Sequence, residues 1–200
     1  MSEFFLELFS EEIPASLQKN LREKLLEEFQ KFFSDKSINS KKNFSLSTPN
    51  RLLIVFEGLD KQIKIKSKEV KGPKIGAPDQ ALEGFIRSNK IEKKDLFKNK
   101  TEKGEFYFYK TKSRTIKIKD LLTEFIPKLL ENYQWKKSMK WGQFDLNWGR
   151  PLKSILSIFE NKVIDFEFHH IASSNSTFID SDFENKKKIF KNFKKKTIKN

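Results

Sequence analysis

Cysteine is absent from the 200-residue chain, and histidine occurs only at His169 and His170. Without a thiol there is no disulfide scaffold, Cys-ligated zinc, iron–sulfur cluster or thiol nucleophile. Two adjacent histidines do not build a multi-histidine metal site within one chain. Glycine is scarce, with 7 residues. Neither G-x-x-x-x-G-K-[ST] nor G-x-G-x-x-G occurs, so the known phosphate-cradling loops are missing. No apolar run approaches the roughly 20 residues that cross a bilayer. Met1-Ser2-Glu3-Phe4-Phe5 has neither the basic start nor the long apolar core of a signal peptide. The expectation is a soluble, cytoplasmic protein without membrane contact.

What the chain does have is charge and phenylalanine. Lys and Arg number 41 against 27 Asp and Glu, a net charge of +14, and Phe alone contributes 21 residues. A pI near 9.7 suits an anionic partner, nucleic acid first. Only five of the basic residues are Arg, and eight Lys fall between 186 and 200, which leaves +6 for the rest. Lys, Phe, Ile and Asn share AT-rich codons, so a biased genome reaches this composition without selection for binding. A terminal lysine run is often only a solvated tail.

Patterning gives the elements. Phe4–Phe9 reads as a strand, broken by Ser10–Pro14. Pro14 suits the first turn of a helix whose buried face carries Leu17, Leu21, Leu25 and Phe29 at spacings of four. Ser34–Asn43 is a loop. Phe44–Thr48 and Arg51–Leu59 are strands joined by a turn at Pro49-Asn50. Ile63–Lys66 alternates as a half-exposed strand. Lys71-Gly72-Pro73 and Gly76–Pro78 mark a loop. Asp79 is the expected cap of a helix bearing Leu82, Phe85 and Ile86. Glu105–Lys112 is an aromatic strand. Asp120 is the expected cap of a helix carrying Leu122 to Tyr133, in which Pro127 should kink the helix or delay its start. Pro151–His170 reads as a hairpin turning at Glu160–Lys162, and periodicity is lost beyond Ile171. The expected class is α+β: a mixed, mainly antiparallel sheet with packed helices. The main region spans 1–177, and a basic Lys-rich tail, 178–200, has a composition that permits disorder.

The residues show no active site. Glu7, Glu11 and Glu12 cluster at a strand–helix junction, where they could serve acid–base or metal chemistry. Complementing the helix dipole is the simpler role. His169 and His170, read as strand residues, would point to opposite faces. Trp135, Trp141 and Trp148 lie in a Lys-rich stretch with Arg150. Such rings among cations can stack bases, but a core or interface position is the simpler expectation for each Trp.

Taken in order, short motifs add up to a resemblance. Leu6-Glu7-Leu8-Phe9-Ser10-Glu11-Glu12-Ile13-Pro14 resembles the opening L-x-E-I-G-T-E-E-L-P of the β subunit of bacterial heterotetrameric glycyl-tRNA synthetase. Thr48–Leu52 is similar to that family's T-P-R-R-L, and Lys71-Gly72-Pro73 to its R-G-P. Gly84–Arg87 resembles G-F-x-R, and Lys103–Phe106 resembles K-G-E-[YF]. Lys137–Gly142 is similar to K-x-M-R-W-G. Arg150-Pro151 matches F-x-R-P, with Trp148 in place of Phe. The series covers about Phe4 to Thr177.

The resemblance implies a role in ATP-dependent attachment of glycine to tRNA by an α2β2 assembly. It places the glycine and ATP site, with magnesium, in the α subunit, so no catalytic residue, cofactor or metal is expected in this chain. The implied partners are the α subunit and tRNA-Gly, with β–β or α–β contacts in the tetramer. Basic residues within the matched motifs, Arg51, Lys71, Arg87, Lys140 and Arg150, become the tRNA-binding candidates. Departures are visible. The family's β subunit is several times longer, a G-H-[RK]-F motif is expected after Thr177 where Phe178-Ile179-Asp180 stands, and the Gly72–Gly84 loop is short. Lys replaces Arg at Lys71 and Lys140, which loses planar bidentate phosphate contact. A stand-alone basic RNA-binding remnant without ligase activity is the alternative expectation.

Overall fold

Phe4, Phe5, Leu6, Leu8 and Phe9 are each at most 2% exposed, and a run this apolar forms a strand buried on both faces. The computed structural model describes residues 2–101, 104–135, 137–140, 143, 145–179, 187–191 and 193. In chain order the elements begin with β1 (Glu3–Ser10), α1 (Ala15–Asp35), β2 (Lys42–Thr48), β3 (Arg51–Glu57) and β4 (Gln62–Ile65). Next come β5 (Glu69–Lys74), α2 (Asp79–Asn89), a 3-10 turn (Lys93–Asp95), β6 (Leu96–Thr101), β7 (Gly104–Lys110) and β8 (Arg114–Lys117). The chain then forms α3 (Ile118–Glu131), β9 (Leu152–Phe159), β10 (Lys162–Val163), β11 (Glu167–Phe168), β12 (Ile171–Ser174), β13 (Ser176–Phe178) and β14 (Lys187–Ile189). They divide into a larger unit, Met1–Ile63 with Lys117–Asn200, and an inserted unit, Lys64–Ile116.

The larger unit is built on a sheet of order β11-β12-β9-β1-β3-β2, with β10 added beside β9. Strand alternation sorts its side chains. Phe4, Leu6, Leu8, Leu52, Ile54, Phe56 and Ile155 join one core with Leu25 and Phe29 of α1 and Leu122 and Ile126 of α3. Phe5, Leu53, Val55, Leu156 and Ile158 form a second, smaller cluster that includes Phe190. The four-residue spacing of α1 is realised as its buried stripe, Leu21, Leu25, Phe29 and Phe33.

The inserted unit is a three-stranded antiparallel sheet of order β5-β7-β6. One side meets α2: the Phe85 ring packs edge-on to Tyr109, and the Tyr109 hydroxyl donates to Asn89 Oδ1 at 3.1 Å. Gly72 belongs to this contact, since a Cβ there would lie 2.7 Å from the Phe85 ring.

The expected α+β class with a mainly antiparallel sheet is the class observed; β12 beside β9 is the parallel pair among the described strands. Several local expectations are corrected. Pro14 is the residue before α1, not its first turn. Asp79 and Asp120 are not caps: Pro78 and Lys117 hold those positions, and both acids sit in the first turn, where their charge favours the helix dipole. Pro127 does not delay α3, which starts at Ile118; burying Ile118, Leu122, Ile126, Leu129 and Leu130 outweighs one lost backbone bond. Lys71-Gly72-Pro73 is part of β5, not a loop, because the register slips between Lys71 and Lys74 and so accommodates a residue without an N–H. The second arm of the β9 hairpin is only Lys162–Val163. Ile164, Phe166 and Phe168 stay buried, but the edge of β9 they vacate is taken by β12. Beyond Ile171, where no pattern was legible, the chain forms β12 and pairs β13 with β14. Of the tail, Lys187–Ile189 is that strand and Phe190 is buried, while residues 180–186, 192 and 194–200 lie outside the described residues.

Candidate nucleic-acid interface

Three of the motif segments meet at one end of the larger unit. Ser10 N–H donates to Asn50 O at 2.9 Å, Glu11 N–H to Pro151 O at 2.9 Å and Ile13 N–H to Pro49 O at 2.7 Å. The break after β1 is thereby stitched between the β2–β3 turn and the start of β9. Backbone groups that leave a strand need partners when buried, and prolines at 49 and 151 supply carbonyls without a competing N–H.

Arg51 opens β3 at this end, across from Phe9. Its guanidinium lies 4.5 Å from the centre of the Phe9 ring, and its Nε is 3.6 Å from Glu7 Oε1. Its Nη2 donates to Phe178 O and, at 3.2 Å, to Ile179 O. Glu7 is 1% exposed, so a cation beside it offsets the cost of burying its charge. Arg51 thus joins β1, β3 and the end of β13. Glu7 is a strand residue in this arrangement, and no acid occupies the first turn of α1, so the helix-dipole role expected of the acidic cluster is not the one observed. Glu11 instead lies 3.9 Å from Lys153.

Arg150 flanks a cavity of about 410 Å³ whose walls include Pro14, Leu17, Trp135, Lys137 and Met139. Gly149 is required here: a Cβ on it would fall 1.9 Å from Trp135 Cε3. Trp148 is 2% exposed and contacts Tyr133, Trp135 and Phe168, which makes it a core residue. Trp141 lies outside the described residues. Met139 and Trp148 exchange backbone hydrogen bonds of 2.9 and 3.1 Å, and beside this bridge Lys140 is exposed, its Nζ 3.5 Å from Asp145 Oδ1. The Tyr133 hydroxyl donates to Leu21 O at 2.6 Å, and burial, reinforced by Glu28, pushes its pKa up.

His169 and His170 form the turn between β11 and β12 rather than strand positions, with His169 at φ 52°. His169 Nε2 is 3.6 Å from Glu131 Oε1. Desolvation, and then the neighbouring His169, lower the pKa of His170. Among the described residues no group of three or more His, Asp or Glu side chains is arranged to hold a metal ion. Among them, too, no helix is long and apolar enough to cross a membrane.

The other two candidates belong to the inserted unit. Lys71 is exposed on β5, its Nζ 3.5 Å from the centre of the Phe106 ring. Arg87 is exposed in the last turn of α2, where a cation complements the helix C-terminus. The five residues therefore fall in two groups: Arg51, Lys140 and Arg150 on the larger unit, Lys71 and Arg87 on the inserted one. Sequence reasoning did not single out Phe97 and Lys74, which share a sheet face with Lys71. The available signal was the alternation in Gly104–Lys110, legible once its pairing with β5 and β6 is known.

Comparison with known proteins gives this geometry a lineage. The family model described as glycyl-tRNA synthetase beta subunit matches residues 4–196. The glycine–tRNA ligase beta subunit of Rickettsia bellii (strain OSU 85-389) is 38% identical over 187 residues, covering 94% of this chain and 28% of the relative. That of Rickettsia typhi (strain ATCC VR-144 / Wilmington) is 36% identical over 204 residues, covering 100% of this chain and 30% of the relative. The chain thus spans about 30% of the length of the curated relatives it matches. With a match along nearly its whole length, the chain belongs to the glycyl-tRNA synthetase beta subunit family.

Proposed function

We propose that this chain acts as the N-terminal part of the β subunit of an α2β2 glycine–tRNA ligase, supporting ATP-dependent glycyl-tRNA formation through tRNA binding and subunit assembly. The observation that carries the reading is the family match along residues 4–196. The geometry agrees with a supporting role. The motif segments around Pro14, Pro49 and Pro151 are joined by backbone bonds into a scaffold, and the cations among them are Arg51, fixed by its neighbours, and Arg150, on a cavity wall. ATP and magnesium act in the α subunit in this reading. The work of this chain is to hold RNA and partner in place.

The test is reconstitution. Mixed with its cognate α subunit, the chain should co-elute with it and raise glycine attachment to tRNA-Gly. Absence of both association and added charging rejects the reading. A second reading, a basic RNA-binding remnant without ligase activity, is favoured by the charge of the inserted unit, which has fifteen Lys and Arg against seven Asp and Glu. It predicts salt-sensitive RNA binding with no preference for tRNA-Gly and no effect on charging.

A further inference from the structure

We propose that the open face of the β5-β7-β6 sheet binds single-stranded RNA, with Phe97 and Phe106 as stacking platforms and Lys71 and Lys74 as phosphate contacts. Residues paired across antiparallel strands share a face, so the register fixes this one. Lys71 and Phe97 both pair with Phe108, and Lys74 and Asn99 both pair with Phe106. The opposite face, with Val70, Gly72 and Tyr109, is the one that meets α2 through Phe85.

The rings on the open face form a graded platform. Phe108 is buried at its base, Phe97 lies 6.0 Å from it with the rings 27° apart, and Phe97 is 37% exposed. Phe106 is half-buried under the Lys71 ammonium. A solvent-facing aromatic on a strand gains little by itself. A base stacked on it buries the ring, and every base has a face that can stack. Lys71 and Lys74 border these rings: Lys74 pairs with Phe106, and its side chain comes to 3.0 Å from where a Cβ of Gly104 would be. The charge is also concentrated here. The inserted unit carries a net +8 in 53 residues, more than half of the +14 of the whole chain. A polyanion whose bases are free to unstack matches both features. A duplex offers its phosphates but not its base faces, and an acidic peptide offers neither rings nor regular phosphates.

The inference rests on the RNA-binding part of the proposed function and names the surface responsible. The test uses the full chain and four variants, Phe97→Ala, Phe106→Ala, Lys71→Gln and Lys74→Gln, each checked by thermal melt. Binding of a labelled, mixed-sequence RNA single strand is measured against salt, beside a blunt RNA duplex and with polyglutamate as competitor. Each Phe variant should weaken single-strand binding about fivefold or more, leaving the salt slope unchanged. Each Lys variant should lower that slope by about 0.7. Equal affinity of wild type and Phe variants, preference for the duplex, or displacement by polyglutamate as complete as by unlabelled RNA overturns the inference. The variants are also assayed with the α subunit. Unaltered RNA binding together with supported charging overturns this surface and leaves the proposed function standing. Ring-dependent binding without charging does the reverse.

Discussion

The two units of this chain are built on opposite balances. In the larger one, a sheet with helices on one face and an aromatic cluster on the other buries whole Phe, Leu and Ile side chains. In the inserted one, Phe108, 8% exposed, is the one buried hydrophobic side chain among the described residues, and α2 has none. Charge runs the other way. With the eight lysines of 186–200 set aside, the larger unit has a net charge of −2, whereas the inserted unit carries +8. The residues that hold the fold are thus largely separate from those that give the chain its basic character. An overall pI conceals this separation. A small sheet with little core can tolerate dense positive charge at its surface, but it has few buried contacts with which to offset the self-repulsion.

The largest expected effect breaks the larger unit. Phe29 is fully buried against Phe4, Phe56 and Phe125, so Phe29→Ala should cost about 3–5 kcal/mol in urea unfolding. The equivalent truncation in the inserted unit, Phe85→Ala, removes a half-buried ring and should cost less than about 2 kcal/mol. Similar losses would erase the contrast. Arg51→Met comes next. It takes a cation from beside buried Glu7 and should destabilise by on the order of 3 kcal/mol. A variant that melts normally yet binds tRNA weakly would instead make Arg51 an RNA contact.

Gly149→Ala forces a methyl group into the Trp135 ring and should cost about 1–3 kcal/mol, with a changed tryptophan emission spectrum. The smallest effect belongs to Tyr133→Phe. Losing the hydrogen bond to Leu21 O should cost about 1 kcal/mol at neutral pH. The pH dependence has a definite sign. The folded-state pKa of Tyr133 is raised above its unfolded value of about 10, so the phenol stabilises the fold below that pH and the contribution is lost as pH rises. Wild type should therefore lose stability above about pH 10 more steeply than Tyr133→Phe. Parallel pH profiles would show that the hydroxyl is not buried as described.

Local order was the legible part of this fold. The spacing of Leu17, Leu21, Leu25 and Phe29 is a property of four neighbouring turns, and the run Phe4–Phe9 is a property of one strand. Both appear where periodicity puts them. What depends on partners far along the chain was not legible. The edge of β9 goes to β12 rather than to the second arm of its own hairpin, a choice between distant segments that alternation cannot make. Gly72 illustrates the same limit. Beside a proline it reads as a turn, but its use is to let the Phe85 ring lie against a strand. The candidate site was legible residue by residue and not as a surface. Lys71 could be named from its motif, but its company of Phe97, Phe106 and Lys74 follows only from strand register.

The most direct measurement of the division between fold and charge is ultraviolet crosslinking of tRNA-Gly to the intact chain, with the crosslinked peptides mapped by mass spectrometry. Crosslinks should concentrate in the inserted unit, Lys64–Ile116, above all in peptides that carry Phe97 and Phe106. Crosslinks confined to the larger unit, or none at a salt concentration where the chain binds tRNA, would contradict it.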